Sequence, residues 1–355
     1  MPTADLPSGP ADGLLGRGRE LRALHGALRQ ERLVAVTGPA GVGKTRLATA
    51  ALAGEPPEAV RMVDLSGLIA PEFLACTLSR ALSLPDRPDS SELSALARGL
   101  AARPTLLVLD GCERLAGQGA DVIEYLLGAC RELRILAVGR RALGLQGERI
   151  LPLHPLAEGP AMGLLAARAR SPVGGLAPLD ALSLCHLLDR NPLAIELAAR
   201  RLAEVDARQL MAEVARPAGL LALKAAPPYP RNLPQRHYSL RAAAEWSHDL
   251  CTEAEQLLWA RLSAIRAGFD RAEAHRSCDR ADLPEAVLEA AWDGLLRSSV
   301  LVPDGTAAGG GTGRYRLPAL LRAYGRERLR DTATDRLHAL HQYSAPPRST
   351  PGDPG

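Results

Sequence analysis

An α/β fold, with a parallel sheet built around a phosphate-binding loop and followed by a helical C-terminal half, is predicted by three observations in this 355-residue chain. Short, mostly apolar runs at 33–37, 105–111 and 134–140 alternate with helical patterns, as strands do when helices cover both faces of a parallel sheet. The first run passes directly into Gly38-Pro39-Ala40-Gly41-Val42-Gly43-Lys44-Thr45, which meets the pattern G-x-x-x-x-G-K-[ST]. From about 157 the strands give way to helical periodicity, interrupted by one hairpin signal.

Each residue type in that loop has a physical task. Glycines at 38, 41 and 43 let consecutive backbone N–H groups of the 38–46 segment point at phosphate oxygens, and the helix opening at Lys44-Thr45-Arg46 adds its positive dipole end. Lys44 is placed to reach the β- and γ-phosphates of ATP, and the Thr45 hydroxyl to ligate Mg²⁺. Of 43 basic residues only Lys44 and Lys224 are lysine, so a compact ammonium is kept where phosphate chemistry asks for one. The run TLLVLDG (105–111) ends in Asp110, the candidate metal-side acid at the carboxyl end of a buried strand. The run RILAVGR (134–140) ends in Arg140, a cation placed to read the γ-phosphate.

Composition narrows the class. Hydrophobic and charged fractions of 46% and 23% are those of a globular protein, and a net charge of +3 does not by itself call for nucleic acid or a membrane. The 6 cysteines are scattered without a C-x-x-C pair, and His275 and Cys278 lack a second pair to complete a metal site. A cytoplasmic protein is expected, since neither a signal segment nor a long apolar span is seen.

Taken in order, 1–13 is rich in Pro, Gly, Ser and Asp and reads as a disordered leader. A nucleotide-binding domain is expected over 14–156, with an opening helix bearing Leu21, Leu24 and Leu28 on one face and further strands at 59–65 and 150–156. A small helical domain follows over 157–215, where Asn191 and Pro192 supply an N-cap and an N1 residue. The stretch 216–235, with five prolines between 217 and 234, reads as a linker or extended crossing. Helices at 240–249, 252–265 and 284–297, a hairpin joining 299–302 to 314–317, and a last helix to about 330 outline a winged helix over 236–331, with a helical end and disordered tail over 332–355.

These blocks resemble the STAND-class (NB-ARC-type) signal-transduction ATPases of the actinobacterial regulator kind. The similarity covers roughly 14–330 and is carried by LLGRGREL (14–21), RLVAVTGPAGVGKTRLA (32–48), LLVLDGCERL (106–115), RILAVGRRALGLQGE (134–148), NPLAIELAARRL (191–202) and three blocks of the winged-helix region. It implies that Arg17 lies beside the adenine, that Pro192 lies near the base, and that the phosphates are held by residues 38–46. Three positions depart from the family pattern. Gly111 follows Asp110 where an Asn or second acid is usual, leaving Glu113 as the nearest group to activate water. Gly139 precedes Arg140 in place of a hydroxyl residue, and Pro318-Ala319 stands where His-Asp is common, which removes a clamp on ADP.

The reading is an ATP/ADP-dependent molecular switch with Mg²⁺, slow or no ATP hydrolysis, and a role in signal transduction or transcriptional regulation. A protein partner or self-association on activation is expected. A DNA-binding winged-helix regulator and a metabolic P-loop enzyme such as a small-molecule kinase are the alternatives. Against the first, 16 arginines face 15 acidic residues over 231–342, so the stripe Arg322, Arg326 and Arg330 reads as a solvated face and direct DNA binding is not expected.

Overall fold

The computed structural model describes residues 14–84, 91–115, 117–169, 176–216, 218–225, 235–265, 268–276, 283–304 and 313–344, with only the backbone described from 332 onward. The leader at 1–13, the hairpin tip at 305–312, Cys278 and the tail at 345–355 lie outside these residues.

The sheet half runs α1 (Gly18–Gln30), β1 (Leu33–Thr37), α2 (Lys44–Ala51), β2 (Val60–Asp64), α3 (Leu74–Ala81), α4 (Glu92–Ala101), β3 (Thr105–Asp110), α5 (Gln118–Ala129), β4 (Leu133–Val138) and β5 (Arg149–Pro152). Its strands lie in the order β2-β3-β4-β1-β5, and every neighbouring pair is parallel. Because strand side chains alternate, Leu106 and Val108 join the core under α1 and α2, whereas Leu107 and Leu109 join the core under α3, α4 and α5. Both faces are therefore covered, and β1 and β3 are buried along their whole length.

The order has one consequence for chemistry. β4 lies between β1 and β3, so the chain leaves three adjacent strands carrying the P-loop, Arg140 and Asp110 at one carboxyl edge. β5 is shorter than the run 150–156 suggests. After Leu153 N donates to Thr37 O (2.7 Å), Pro155 has no N–H with which to continue the ladder.

The C-terminal half holds α6 (Glu158–Arg168), α7 (Pro178–Leu187), α8 (Pro192–Arg201), α9 (Ala207–Ala215), α10 (Leu240–Asp249), α11 (Glu253–Leu262), α12 (Arg271–Arg276), α13 (Glu285–Arg297), the antiparallel pair β6 (Val302–Pro303) and β7 (Tyr315–Arg316), and α14 (Ala319–Ser344). Local rules account for the starts: Asn191 Oδ1 accepts from Leu193 N and Ala194 N, and Thr252 with Glu255 forms a capping box. α14 runs unbroken to Ser344, since no Gly or Pro occurs between 326 and 344 to stop it.

Part of the Pro-rich stretch is packed. Leu220, Leu221, Leu223 and Ala225 are buried, and Lys224 bridges to Ser239, so the apolar spacing of 220–225 outweighs the prolines around it. A single apolar cluster then runs from Leu156 in the first loop of this half to Tyr324 in α14, with Trp259, Phe269 and Trp292 fully enclosed. The helical segment and the winged region thus share one core.

Candidate functional site

The P-loop joins β1 to α2 as its glycines require. Gly38, Gly41 and Gly43 have φ of +147°, +75° and +97°, values that side chains with a Cβ rarely adopt. A Cβ on Gly41 would also come within 2.7 Å of Asn191 Oδ1 and 2.8 Å of Leu193 Cβ. The Lys44 ammonium folds back over the loop and donates to Gly38 O (2.8 Å) and Pro39 O (3.0 Å). Burial, partly offset by the nearby Glu113 carboxylate, pushes it down to about 8.

Beside the loop, Thr45 Oγ1 donates to the Asp110 carboxylate at 3.0 and 3.1 Å, the hydroxyl–carboxylate pair that a P-loop cation needs. Asp110 is 7% exposed, and its burial raises the carboxyl above the usual carboxylate range. Gly111, at φ +79° and with Ser66 N only 2.9 Å from where a Cβ would sit, turns the chain into a 3-10 turn, Cys112–Arg114. That turn places Glu113 where its carboxylate acts on both Lys44 and Arg140, and its buried Oε2 has no hydrogen-bond partner. Arg140 is 4% exposed, two residues beyond the end of β4. Its guanidinium donates to Ser247 Oγ and to Ala243 O (3.4 Å), both on α10, and burial lowers its pKa.

The C-terminal half touches this edge at three more places. Asn191 Nδ2 donates to Ala40 O (2.8 Å) and Leu193 N to Gly41 O (3.2 Å), so the start of α8, with Pro192 in its first turn, sits on the P-loop. Arg236, in a 3-10 turn ahead of α10 (Gln235–His237), brings Nη2 to 3.6 Å from Asp110 Oδ2. Its guanidinium lies over the Trp246 ring at 5.9 Å, and Arg114 lies over the same ring at 5.7 Å. His237, next to Arg236, is pushed down to about 4 by burial and by the cations Arg236 and Lys44.

Two expected nucleotide contacts are engaged elsewhere. Arg17 donates to Val42 O (3.2 Å) and His154 O (2.7 Å), bracing the loop from behind. Arg46 pairs with Glu196 of α8 at 2.6 Å and is nearly half exposed. Pro318 precedes Ala319, whose N–H donates to Asp189 Oδ2 (2.8 Å), while Arg316 Nη1 donates to both Asp189 oxygens (2.8 and 3.0 Å). The hairpin is thus latched to the turn before α8 by a protein carboxylate. His275 lies against Glu289 (2.7 Å), and among the described residues no cluster suits a metal ion.

A nucleotide with Mg²⁺ fits these residues: a glycine cradle, an ammonium held only by loop carbonyls, a Thr–Asp pair and an orphaned carboxylate oxygen converge on one edge. Sequence reasoning placed Lys44, Thr45, Asp110, Glu113 and Arg140 and missed Arg236, His237 and Asn191 as contributors to this edge. The first two lie within the block RHYSLRAAAEWSHDL, which otherwise reads only as the start of the winged region.

Comparison with known proteins agrees with this layout. Residues 27–143 match the AAA domain family, and residues 250–330 match the winged helix-turn-helix domain family. A protein of Mycobacterium tuberculosis named for an HTH-type transcriptional regulator is 37% identical over 332 residues, or 91% of this chain, and an uncharacterized protein of the same organism is 33% identical over 72% of it. The chain spans 36% of the first relative's length and 66% of the second's. The Walker-type ATPase of Pyrococcus abyssi superposes over 88% of this chain and 95% of its own with a TM-score of 0.57 at 17% identity, a likeness of fold. The chain thus carries a P-loop domain of the AAA family on its N-terminal side and a winged helix-turn-helix domain on its C-terminal side.

Proposed function

We propose that the chain is an ATP/ADP switch of the STAND kind, with slow or absent hydrolysis, acting in cytoplasmic signal transduction that controls transcription. One observation carries the reading: the phosphate end of the sheet is contacted by the sheet half, the helical segment and the winged region at once, through Ala40–Asn191, Asp110–Arg236 and Arg140–Ser247. A phosphate group entering there changes the partners of Lys44, Asp110 and Arg140 together, so its presence alters how the two halves are held.

The residues divide the work as follows. Lys44 exchanges the Gly38 and Pro39 carbonyls for phosphate oxygens, and the loop N–H groups of 40–45 supply further donors. Thr45 and Asp110 would hold Mg²⁺, which would supply positive charge against that of the phosphates. Glu113, whose Oε2 has no partner, would accept a proton from an attacking water, and Arg140 would stabilise charge on the terminal phosphate if it let go of Ser247. That last requirement is a physical reason for slow hydrolysis in the arrangement described here.

Calorimetric titration of the purified chain with ATP and with ADP in the presence of Mg²⁺ should give one site per chain. Absence of binding by either nucleotide overturns the reading.

A second reading, direct DNA binding, is favoured by the winged helix-turn-helix match and by the names of the mycobacterial relatives. The region is close to neutral, and Arg326 of the candidate stripe donates to Ser263 O (2.8 Å), turned toward its own fold. DNA affinity of this chain should be weak and salt-sensitive. Nanomolar sequence-specific binding in physiological salt would establish the second reading instead.

A further inference from the structure

We propose that Arg236 is a built-in counter-ion for Asp110 that a divalent cation must displace, so that Mg²⁺ loading beside a bound nucleotide frees the segment leading into the winged helix. The inference rests on the nucleotide reading above and deepens it by naming how the metal is sensed.

Two side chains contact the Asp110 carboxylate, while the carboxylates of Asp64 and Glu113 act on it from nearby. On one side the Thr45 hydroxyl donates to both carboxylate oxygens, and on the other Arg236 Nη2 stands 3.6 Å from Oδ2, with side chains 10% and 15% exposed for acid and base. A hydrated dication set between Thr45 and Asp110 would need the same carboxylate face that Arg236 now neutralises. In a site this dry, like charges on one carboxylate are screened poorly. Guanidinium and metal are therefore alternatives.

Arg236 also has somewhere to report. Its guanidinium also lies over Trp246, whose ring Arg114 approaches as well, and Trp246 is followed in α10 by Ser247, the acceptor of Arg140. Arg236 sits in the turn directly ahead of α10, so a guanidinium that leaves Asp110 takes that turn with it or swings on Trp246. Either motion alters the environment of Trp246. The other two tryptophans, Trp259 and Trp292, are fully buried in the C-terminal core and do not report on this edge.

The test uses the full chain at a fixed ATP concentration and titrates Mg²⁺, following both ATP affinity and tryptophan emission. In the unmodified chain, Mg²⁺ should change the emission, and Trp246→Phe should remove that change. Arg236→Gln should lower the Mg²⁺ concentration needed for half of the gain in ATP affinity by about five- to tenfold, following from removal of one competing charge. Arg236→Lys, which keeps the charge, should stay near the unmodified value and controls for misfolding. A midpoint that is unchanged or raised in Arg236→Gln, or a Trp246 emission indifferent to Mg²⁺, overturns the proposal while leaving nucleotide binding intact. Failure of the unmodified chain to bind ATP at all removes both readings together.

Discussion

Among the contacts that join the sheet half to the C-terminal half, two groups differ in kind. At the P-loop, Asn191 and Leu193 meet Ala40 and Gly41 through an uncharged amide and backbone groups. At the ends of β3 and β4, the contact is made by Arg236 on Asp110, Arg140 on Ser247 and Ala243, and Arg114 on Trp246. Neutral hydrogen bonds contribute about 0.5–1.5 kcal/mol each whatever the ionic conditions, whereas the charged set is worth something only while its charges stay paired. The first contact therefore behaves as a pivot and the second as the part that a polyphosphate, a dication or a proton can change. Behind both, the shared apolar core from Leu156 to Tyr324 keeps the helical segment and the winged region moving as one body.

The largest expected effect tests the charged side. Lys44→Ala removes the ammonium that faces this charged edge and should abolish ATP binding or weaken it by at least tenfold, read by titration calorimetry; unchanged affinity would rule out the P-loop as the phosphate-binding site.

Next comes pH. His237 is held near 4 in the fold against about 6.5 when unfolded, so its neutral form is favoured by folding, and stability is lost as pH falls from about 6.5 through about 4. The loss is at most about 3.5 kcal/mol at about 1.4 kcal/mol per unit. Thermal melts of His237→Gln should show a shallower acid decline over that window than the unmodified chain, and parallel curves would show that the charged contact does not feel this proton.

On the neutral side, Asn191→Ala loses a helix cap and the bond to Ala40 and should cost about 1–2 kcal/mol by denaturant unfolding, equally at low and high salt. A salt-dependent cost would blur the distinction between the contacts. The smallest effect is expected at Asp189→Asn, where the pair with Arg316 is partly exposed: about 1 kcal/mol or less at low salt, fading at high salt.

Much of the sheet half was legible because its determinants are local. Thr45 and Asp110, 65 positions apart, are bridged by a hydrogen bond that pattern alone anticipates, since a P-loop hydroxyl and a strand-end acid have one common use. Glu113 could be nominated but not oriented, because its direction depends on the left-handed turn at Gly111. Arg236 was out of reach. It follows a Pro-rich stretch, lies more than a hundred residues from its partner, and carries no periodic signal, so only tertiary packing of the turn before α10 reveals its use. Asp189 was hidden for the same reason, since nothing near it in sequence announces Arg316.

The scarcity of lysine gives the nucleotide site a chemical address. Lys44 and Lys224 are the two lysine amines of the chain, and with Lys44 pushed down to about 8, its free-base fraction is large under mildly alkaline conditions. An acylating reagent should modify it readily when the loop is empty and poorly when phosphate oxygens engage the ammonium. Cleavage after lysine splits the unmodified chain into 1–44, 45–224 and 225–355, and acylation at 44 fuses the first two. The mass of one fragment then counts the occupied P-loops in a mixture, without a radiolabel or an assay of turnover.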